Sequence, residues 1–206
     1  RGLGDVYKRQ GYSVDYLLNF TLKGSSHSIS HNLGKDAIIK QSGALGIKLL
    51  QRDAEKNNAK DEYVAALSRL KNEGVDYAVF GDIYVQEHYD WLSEVSIVSG
   101  IKPLFPLWQQ DTVKLVCEFI DAGFKALIIA VNLKFLGSEW LGRQIDGEFV
   151  KDIKRLPQID PCGENGEYHT FVYGGPIFKK SVEFVVGQRL LKDKHWFLTY
   201  HLRGDK

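Results

Sequence analysis

The sequence predicts an α/β protein, with a parallel sheet covered by helices on both faces and a smaller β-rich C-terminal part. Apolar strand-like runs alternate with helical stretches from residue 14 to residue 131. The runs 77–80 and 126–131 are continuously apolar, which is typical of strands in sheets buried on both faces. From residue 168 onward the helical periodicity stops, and short strand candidates follow one another across turns.

The alternating elements fill the chain up to residue 131. Residues 61–73 predict the clearest helix, because one apolar stripe runs along it and Gly74 suits its C-cap. Either Asp111 or Thr112 can cap the last helix of the series. Strands are predicted at 14–20, 47–50, 77–80, 102–105 and 126–131, and helices at 36–45, 61–73, 87–99 and from 111 or 112 to 122.

The C-terminal part follows a different rhythm. A rather polar helix is predicted over 141–156, and strands over 168–173, 181–186 and 195–202. We place the boundary near residue 133, between an α/β domain (11–133) and a smaller, β-rich C-terminal domain (134–206).

Polar or glycine-bearing segments follow several predicted strands. In open α/β sheets, ligands bind outside the carboxyl ends of the strands. We therefore expect four segments to line one crevice: Ser25 to His31, Gly81–Asp82, Pro106–Trp108 and Asn132.

Composition narrows the function classes. The 206 residues carry a formal net charge of +1, which gives no electrostatic footprint for nucleic acid or an anionic membrane. No apolar run approaches the ~20 residues that span a bilayer. There is no signal-peptide pattern, and the two cysteines make no disulfide framework, so we expect a cytoplasmic protein.

The densest polar segment runs from Pro161 to Thr170. Gly163 and Gly166 let the backbone turn tightly and approach a ligand. Glu164 lies between the two glycines, and Glu167 follows them just before an apolar strand. One cysteine, one histidine and several carboxylates make a poor zinc site, so we predict no protein-only metal cage.

Three other motifs each allow two interpretations. Gly81–Asp82 follows a buried strand and either faces a ligand or forms a plain turn with a capping aspartate. Glu87 opens a helix, where the helix dipole alone explains a carboxylate. Gly142–Arg143 pairs a flexible residue with a cation that binds phosphate or carboxylate, or is a surface arginine.

Taken together, these segments resemble the diphthine–ammonia ligase family, a branch of the adenine-nucleotide α-hydrolase-like ATP pyrophosphatases. His31 falls where the family has a histidine. The resemblance covers residues 11 to about 185 and rests on the segments 161–170, 174–180, 80–83, 105–108, 123–124 and 141–143.

The resemblance implies a Rossmann-like parallel sheet of the HUP type and a ligase reaction. ATP, with Mg²⁺ on its phosphates, would activate a carboxylate as an acyl-adenylate, and ammonia would then form the amide. The acyl substrate would be diphthine on elongation factor 2 or an unidentified small carboxylate, and self-association stays open. The implied residues are Glu164, Glu167 and Arg143 for catalysis, His31, Gly81 and Asp82 for the nucleotide, and Glu87, Trp108, Gly142, Gly163, Gly166, Tyr168 and Thr170 for the substrate.

One departure concerns the ATP phosphates. The family opens with a strand, a Ser-Gly-Gly-Lys-Asp-Ser phosphate-binding loop (the PP-loop) and a helix, and this sequence has no such motif. Residues 1–10 read as an unrelated leader. We expect the first strand, loop and helix to be missing, and the chain as written to be a poor enzyme.

Two other functions stay open. A nucleotide-binding module without ligase activity would bind AMP or ATP without releasing pyrophosphate. An ATP pyrophosphatase acting on tRNA would be expected to show a catalytic cysteine pair or a basic face, whereas Cys117 and Cys162 lie far apart in the sequence.

Overall fold

The computed structural model describes residues 13–24, 27–28, 33–55 and 58–204. A short 3₁₀ turn lies at Ser138–Trp140. The strands are Tyr16–Leu22 (β1), Lys48–Ala54 (β2), Tyr77–Val79 (β3), Lys102–Leu104 (β4), Lys125–Asn132 (β5), Tyr168–Gly174 (β6), Phe184–Lys192 (β7) and His195–Leu202 (β8). The helices are Lys35–Leu45 (α1), Ala59–Asn72 (α2), Gln86–Val98 (α3), Thr112–Asp121 (α4) and Gly147–Ile153 (α5).

The first four strands form two parallel pairs, β1–β2 and β3–β4, flanked by helices. With the antiparallel C-terminal sheet, they confirm the predicted fold class. Within the described residues no hydrogen-bonded ladder joins the two pairs into one sheet. They nevertheless share an apolar cluster, formed by Leu18, Leu50 and Ala78 of the strands with Leu67, Leu70, Val95 and Ile101.

The predicted helix ends agree with the structure where a cap is encoded. The carboxylate of Asp111 accepts a hydrogen bond from the Lys114 N–H (2.7 Å), so Asp111, not Thr112, caps α4. Gly74 follows α2 with a left-handed φ of 91°.

The C-terminal sheet is antiparallel, with strand order β6-β5-β8-β7. The expectation that β5 continues the parallel sheet is wrong, because β5 pairs antiparallel with both β6 and β8. Strand β8 has the predicted bounds, whereas β7 begins at Phe184 and ends at Lys192. Helix α1 also packs here: the Gln41 Nε2 donates to the Val172 carbonyl of β6 (2.6 Å), and Ala37 is fully buried.

The predicted helix over 141–156 is wrong over much of its length. Only α5 is helical there, and the Asp146 carboxylate caps it by accepting from the Phe149 N–H (2.8 Å). Before it the chain is extended along β5: Gly142 N donates to the Ile128 carbonyl, and Ile145 N to the Ala126 carbonyl. The backbone groups of this segment are thus taken by β5. Among the described helices none is long and apolar enough to cross a membrane.

The largest apolar cluster lies around β5 and β6, and Phe171 is fully buried in it. Its ring stacks on Tyr200 and meets Phe184 edge-on, each at 5.3 Å between centroids. We expect Phe171→Ala to lower the free energy of unfolding by about 3–5 kcal/mol, measured by urea denaturation. Ile97→Ala, at a side chain 69% exposed, is the control and should change it by less than about 0.5 kcal/mol. Equal effects would contradict this packing.

Candidate functional site

The loop 160–167, between α5 and β6, is closed by the side chain of Glu167. This carboxylate is fully buried. It accepts hydrogen bonds from the Asp160 N–H (2.9 Å), the Asn165 N–H (3.0 Å) and the Asn165 Nδ2 (3.1 Å). The Glu167 carbonyl accepts from the Asn132 N–H at the end of β5 (2.9 Å). Glu167 is therefore committed to the shape of the loop and its attachment to the sheet.

Glu164 points the other way, toward the segment after β3. Its Oε1 accepts a hydrogen bond from the Ile83 N–H (2.7 Å), and its own N–H donates to Asp160 Oδ2 (2.9 Å). Next to it, the Asn165 Nδ2 donates to the Tyr84 hydroxyl (2.9 Å). Two hydrogen bonds thus join loop 160–167, called the Gly-Glu loop below, to Ile83 and Tyr84, which follow Gly81–Asp82.

A third segment joins at Ile83. The Gln109 N–H, one residue after Trp108, donates to the Ile83 carbonyl (2.6 Å). Gln109 has a φ of 58°, a conformation that costs a non-glycine residue energy and is concentrated at functional sites. Both polar groups of the Ile83 backbone are thereby held, one by Glu164 and one by Gln109.

The electrostatics of the site are dominated by carboxylates. Burial raises the pKa of Glu164 from 4.5, and the nearby charges of Asp82 and Asp160 raise it further, against the Ile83 N–H, which lowers it. The pKa of Tyr84 rises to about 12, mainly through burial and then through Asp160. Asp82 faces His88, with 3.3 Å between Oδ1 and Nδ1.

Trp108 belongs to an aromatic cluster beside this junction. Its ring lies 4.5 Å from Tyr89 of α3, and Tyr89 lies 4.4 Å from Phe105, measured between centroids. Phe105 in turn lies 5.2 Å from Phe80, the residue before Gly81. The aromatic rings therefore flank the carboxylate-rich junction.

Arg143 makes other contacts. Its guanidinium forms an ion pair with Asp152 of α5 and lies 4.8 Å from the ring centroid of Trp140. Arg143 in turn lowers the pKa of Asp152. Gly142, before it, has a left-handed φ of 82° and pairs with β5.

The remaining predicted residues are spread around the junction. Gly81 is exposed, and Glu87 is exposed in the first turn of α3. The Tyr168 hydroxyl donates to the Pro161 carbonyl, and Thr170 pairs with Ile128 in the sheet. His31 lies outside the described residues. The roles assigned to all these residues stay predictions.

The thiol of Cys162 does not resemble a reactive one. Its Sγ donates to the Thr112 carbonyl (3.3 Å), and burial raises its pKa to about 12. In the described part of the chain, no three His, Cys, Asp or Glu side chains are grouped so that they could hold a metal ion.

Sequence reasoning missed Tyr84 and Gln109. Each directly follows a motif that was recognised, Gly81–Ile83 and Phe105–Trp108 respectively. Their position directly after these motifs was the signal available in the sequence. That position does not show where the Tyr84 hydroxyl or the Gln109 N–H is directed, because both directions depend on the fold.

Comparison with known sequences gives a match along nearly the whole chain. Residues 5–103 match the Diphthamide synthase N-terminal domain, and residues 111–203 match the Diphthamide synthase C-terminal domain. The chain belongs to the diphthamide synthase family. The Ile83–Glu164 hydrogen bond joins the two matched domains, and Gln109 lies between them.

Among similar proteins is a diphthine–ammonia ligase from Danio rerio, 25% identical over 202 residues, or 84% of this chain and 76% of that protein. The diphthine–ammonia ligase of Homo sapiens is 33% identical over 86 residues, which is 32% of its length. The one from Schizosaccharomyces pombe is 34% identical over 85 residues, only 14% of its length. The chain therefore matches less than half of the length of the fission yeast protein and of the human protein.

The backbone of the Gly-Glu loop requires glycine at position 163. Its φ is 70°, and an added Cβ would lie 3.0 Å from the Tyr168 carbonyl oxygen. Gly74 has a similarly left-handed φ of 91° with open space around it. We expect Gly163→Ala to lower the free energy of unfolding by about 1–3 kcal/mol more than Gly74→Ala, measured by urea denaturation. Equal losses would show that the loop relaxes freely.

The raised pKa of Glu164 predicts a pH dependence. From 4.5 up to the raised pKa the folded state binds more protons than the unfolded chain, so the stability contributed by Glu164 falls as pH rises. Glu164→Gln removes this titration and keeps an oxygen for the Ile83 N–H. Wild type should therefore lose stability relative to the variant from acidic to neutral pH, measured by urea denaturation across pH. The exposed Glu148→Gln is the control, and a wild type that gained stability relative to Glu164→Gln as the pH rises would contradict the sign.

Proposed function

We propose that this protein is an ATP-dependent amide ligase that activates a carboxylate as an acyl-adenylate and amidates it with ammonia. The observation that carries the proposal is the hydrogen bond from the Ile83 N–H to Glu164 Oε1. It attaches the Gly-Glu loop, the expected substrate side, to Gly81–Asp82, the expected nucleotide side. Relatives named diphthine–ammonia ligase support the reaction class.

In this proposal Glu164 accepts a proton from the ammonium ion or from the attacking ammonia. A carboxylate with a raised pKa is a stronger base than an ordinary one, which suits general-base work. Ammonia attacks the activated carbonyl, the C–N bond forms, and AMP leaves with one oxygen of the original carboxylate. Glu167 holds the loop, and Asp82 would accept a hydrogen bond from a hydroxyl of the nucleotide.

Arg143 would bind a phosphate or the substrate carboxylate only if its present ion pair changed. Its guanidinium is paired with Asp152, so the ligand would have to replace Asp152 or share the guanidinium with it. Mg²⁺ would enter with the nucleotide phosphates. The acyl substrate is diphthine on elongation factor 2 or a small carboxylate of related chemistry.

We also propose that the protein is cytoplasmic. Cys117 and Cys162 are both free thiols, which is usual for a reducing compartment.

Substitutions at Glu164 test the proposal. The assay supplies the full gene product with ATP, Mg²⁺, ammonium and diphthine-bearing elongation factor 2, and detects AMP, pyrophosphate and the amide by mass spectrometry. We expect Glu164→Gln, which keeps the oxygen near Ile83 but cannot accept a proton, to lower amide formation by about 10²–10⁴-fold. Glu164→Ala should lower it at least as much.

The matched control is Glu148→Ala, an exposed glutamate whose nearest charged partner is Lys151, and it should leave the rate unchanged. If the wild type bound ATP without releasing pyrophosphate, the protein would be a nucleotide-binding module and not a ligase. Full activity of Glu164→Gln would remove Glu164 from the chemistry.

A further inference from the structure

Strand β7 is an exposed edge. It lies at the end of the C-terminal sheet, and no described strand pairs with its outer side. Four large apolar side chains on it are about half exposed: Val185 (46%), Val186 (50%), Leu190 (49%) and Leu191 (55%). An edge strand with this composition is a template for pairing with another chain.

The apolar side chains lie on both faces of the strand. Val186 and Leu191 are paired with Tyr200 and Trp196, which pack toward the core, so these two share the core-side face. Val185 and Leu190 occupy the opposite face. A partner that only covered one face would leave two of the four exposed, whereas an added strand would bring neighbours to both faces.

The sequence of β7, Phe-Val-Val-Gly-Gln-Arg-Leu-Leu-Lys, is self-complementary in the antiparallel direction. Pairing about the Gly187–Gln188 peptide sets Val185 opposite Leu190 on one face and Val186 opposite Arg189 on the core-side face, so that paired side chains share a face. The same register sets Phe184 opposite Leu191 and Lys192 opposite Glu183, so no two like charges are directly opposed.

The centre of the strand is compatible with such an axis. A bulge interrupts the β7–β8 register between Val186 and Arg189. There Thr199 Oγ1 accepts from the Gln188 N–H (2.7 Å) and donates to the Gln188 carbonyl (3.1 Å). Because the backbone groups of Gln188 are bonded to β8, the residues before and after it in β7 would make the hydrogen bonds to a new strand.

We propose that β7 pairs antiparallel with β7 of a second copy of this chain, about a two-fold axis between Gly187 and Gln188. The two four-stranded sheets then form one continuous sheet, and the contact is the same patch on both subunits, as closed two-fold symmetry requires. A single strand edge is small for a specific interface, so the dimer forms reversibly with rising protein concentration.

Sedimentation velocity over a range of protein concentrations tests the surface and its register. We expect the wild type to show a monomer–dimer equilibrium. Val185→Glu and Leu190→Lys should each raise the dimer dissociation constant about tenfold or more, because each places a charge against an apolar side chain. Mixing the two variants should restore dimers, since the carboxylate introduced at position 185 then faces the ammonium introduced at position 190 of the other copy.

Ile97→Lys, at an exposed apolar position on α3, is the control and should leave the equilibrium unchanged. Circular dichroism checks each variant, and Val185→Thr with Leu190→Thr replaces any variant that loses the wild-type spectrum. A wild type that stays monomeric, assemblies larger than dimers, or variants that dimerise like wild type would overturn the proposal. Folded variants whose mixture does not associate would overturn the register.

Discussion

The buried carboxylate of Glu167 fixes the loop on which the site depends. A carboxylate is costly to bury unless donors surround it, and three N–H groups of Asp160 and Asn165 do so here. The loop is tied to the end of β5 through the Asn132 N–H, which leaves Glu164 directed at Ile83. Because Gln109 binds the carbonyl of Ile83 while Glu164 binds its N–H, three segments distant in sequence meet at one residue.

Much of the fold could be predicted because its signals are local. The apolar stripe of α2, the cap at Asp111 and the continuous apolar run of β5 each favour a nearby conformation. The pairing of β5 could not be predicted, because an apolar strand buried on both faces looks the same in a parallel and in an antiparallel sheet. The helix predicted over 141–156 was largely displaced by backbone hydrogen bonds to β5, and such tertiary partners leave no periodic signal.

In the candidate site, the composition of the Gly-Glu loop was readable and the directions of its side chains were not. Glu164 and Glu167 look equivalent in the sequence, yet one is turned outward to Ile83 and the other inward to the loop's own N–H groups. Arg143 has its ion-pair partner on α5, which only the course of the chain brings near. Tyr84 joins the site through Asn165, a contact 81 positions away in sequence.

The most direct test of a ligase acting through an acyl-adenylate follows the oxygen atoms of the substrate carboxylate. Diphthine-bearing elongation factor 2 labelled with ¹⁸O in that carboxylate is incubated with the full gene product, ATP and ammonium, and the nucleotide products are analysed by mass spectrometry. The account predicts one ¹⁸O atom in AMP for each amide formed. Formation of ADP with ¹⁸O in phosphate, or of AMP without ¹⁸O, would contradict it.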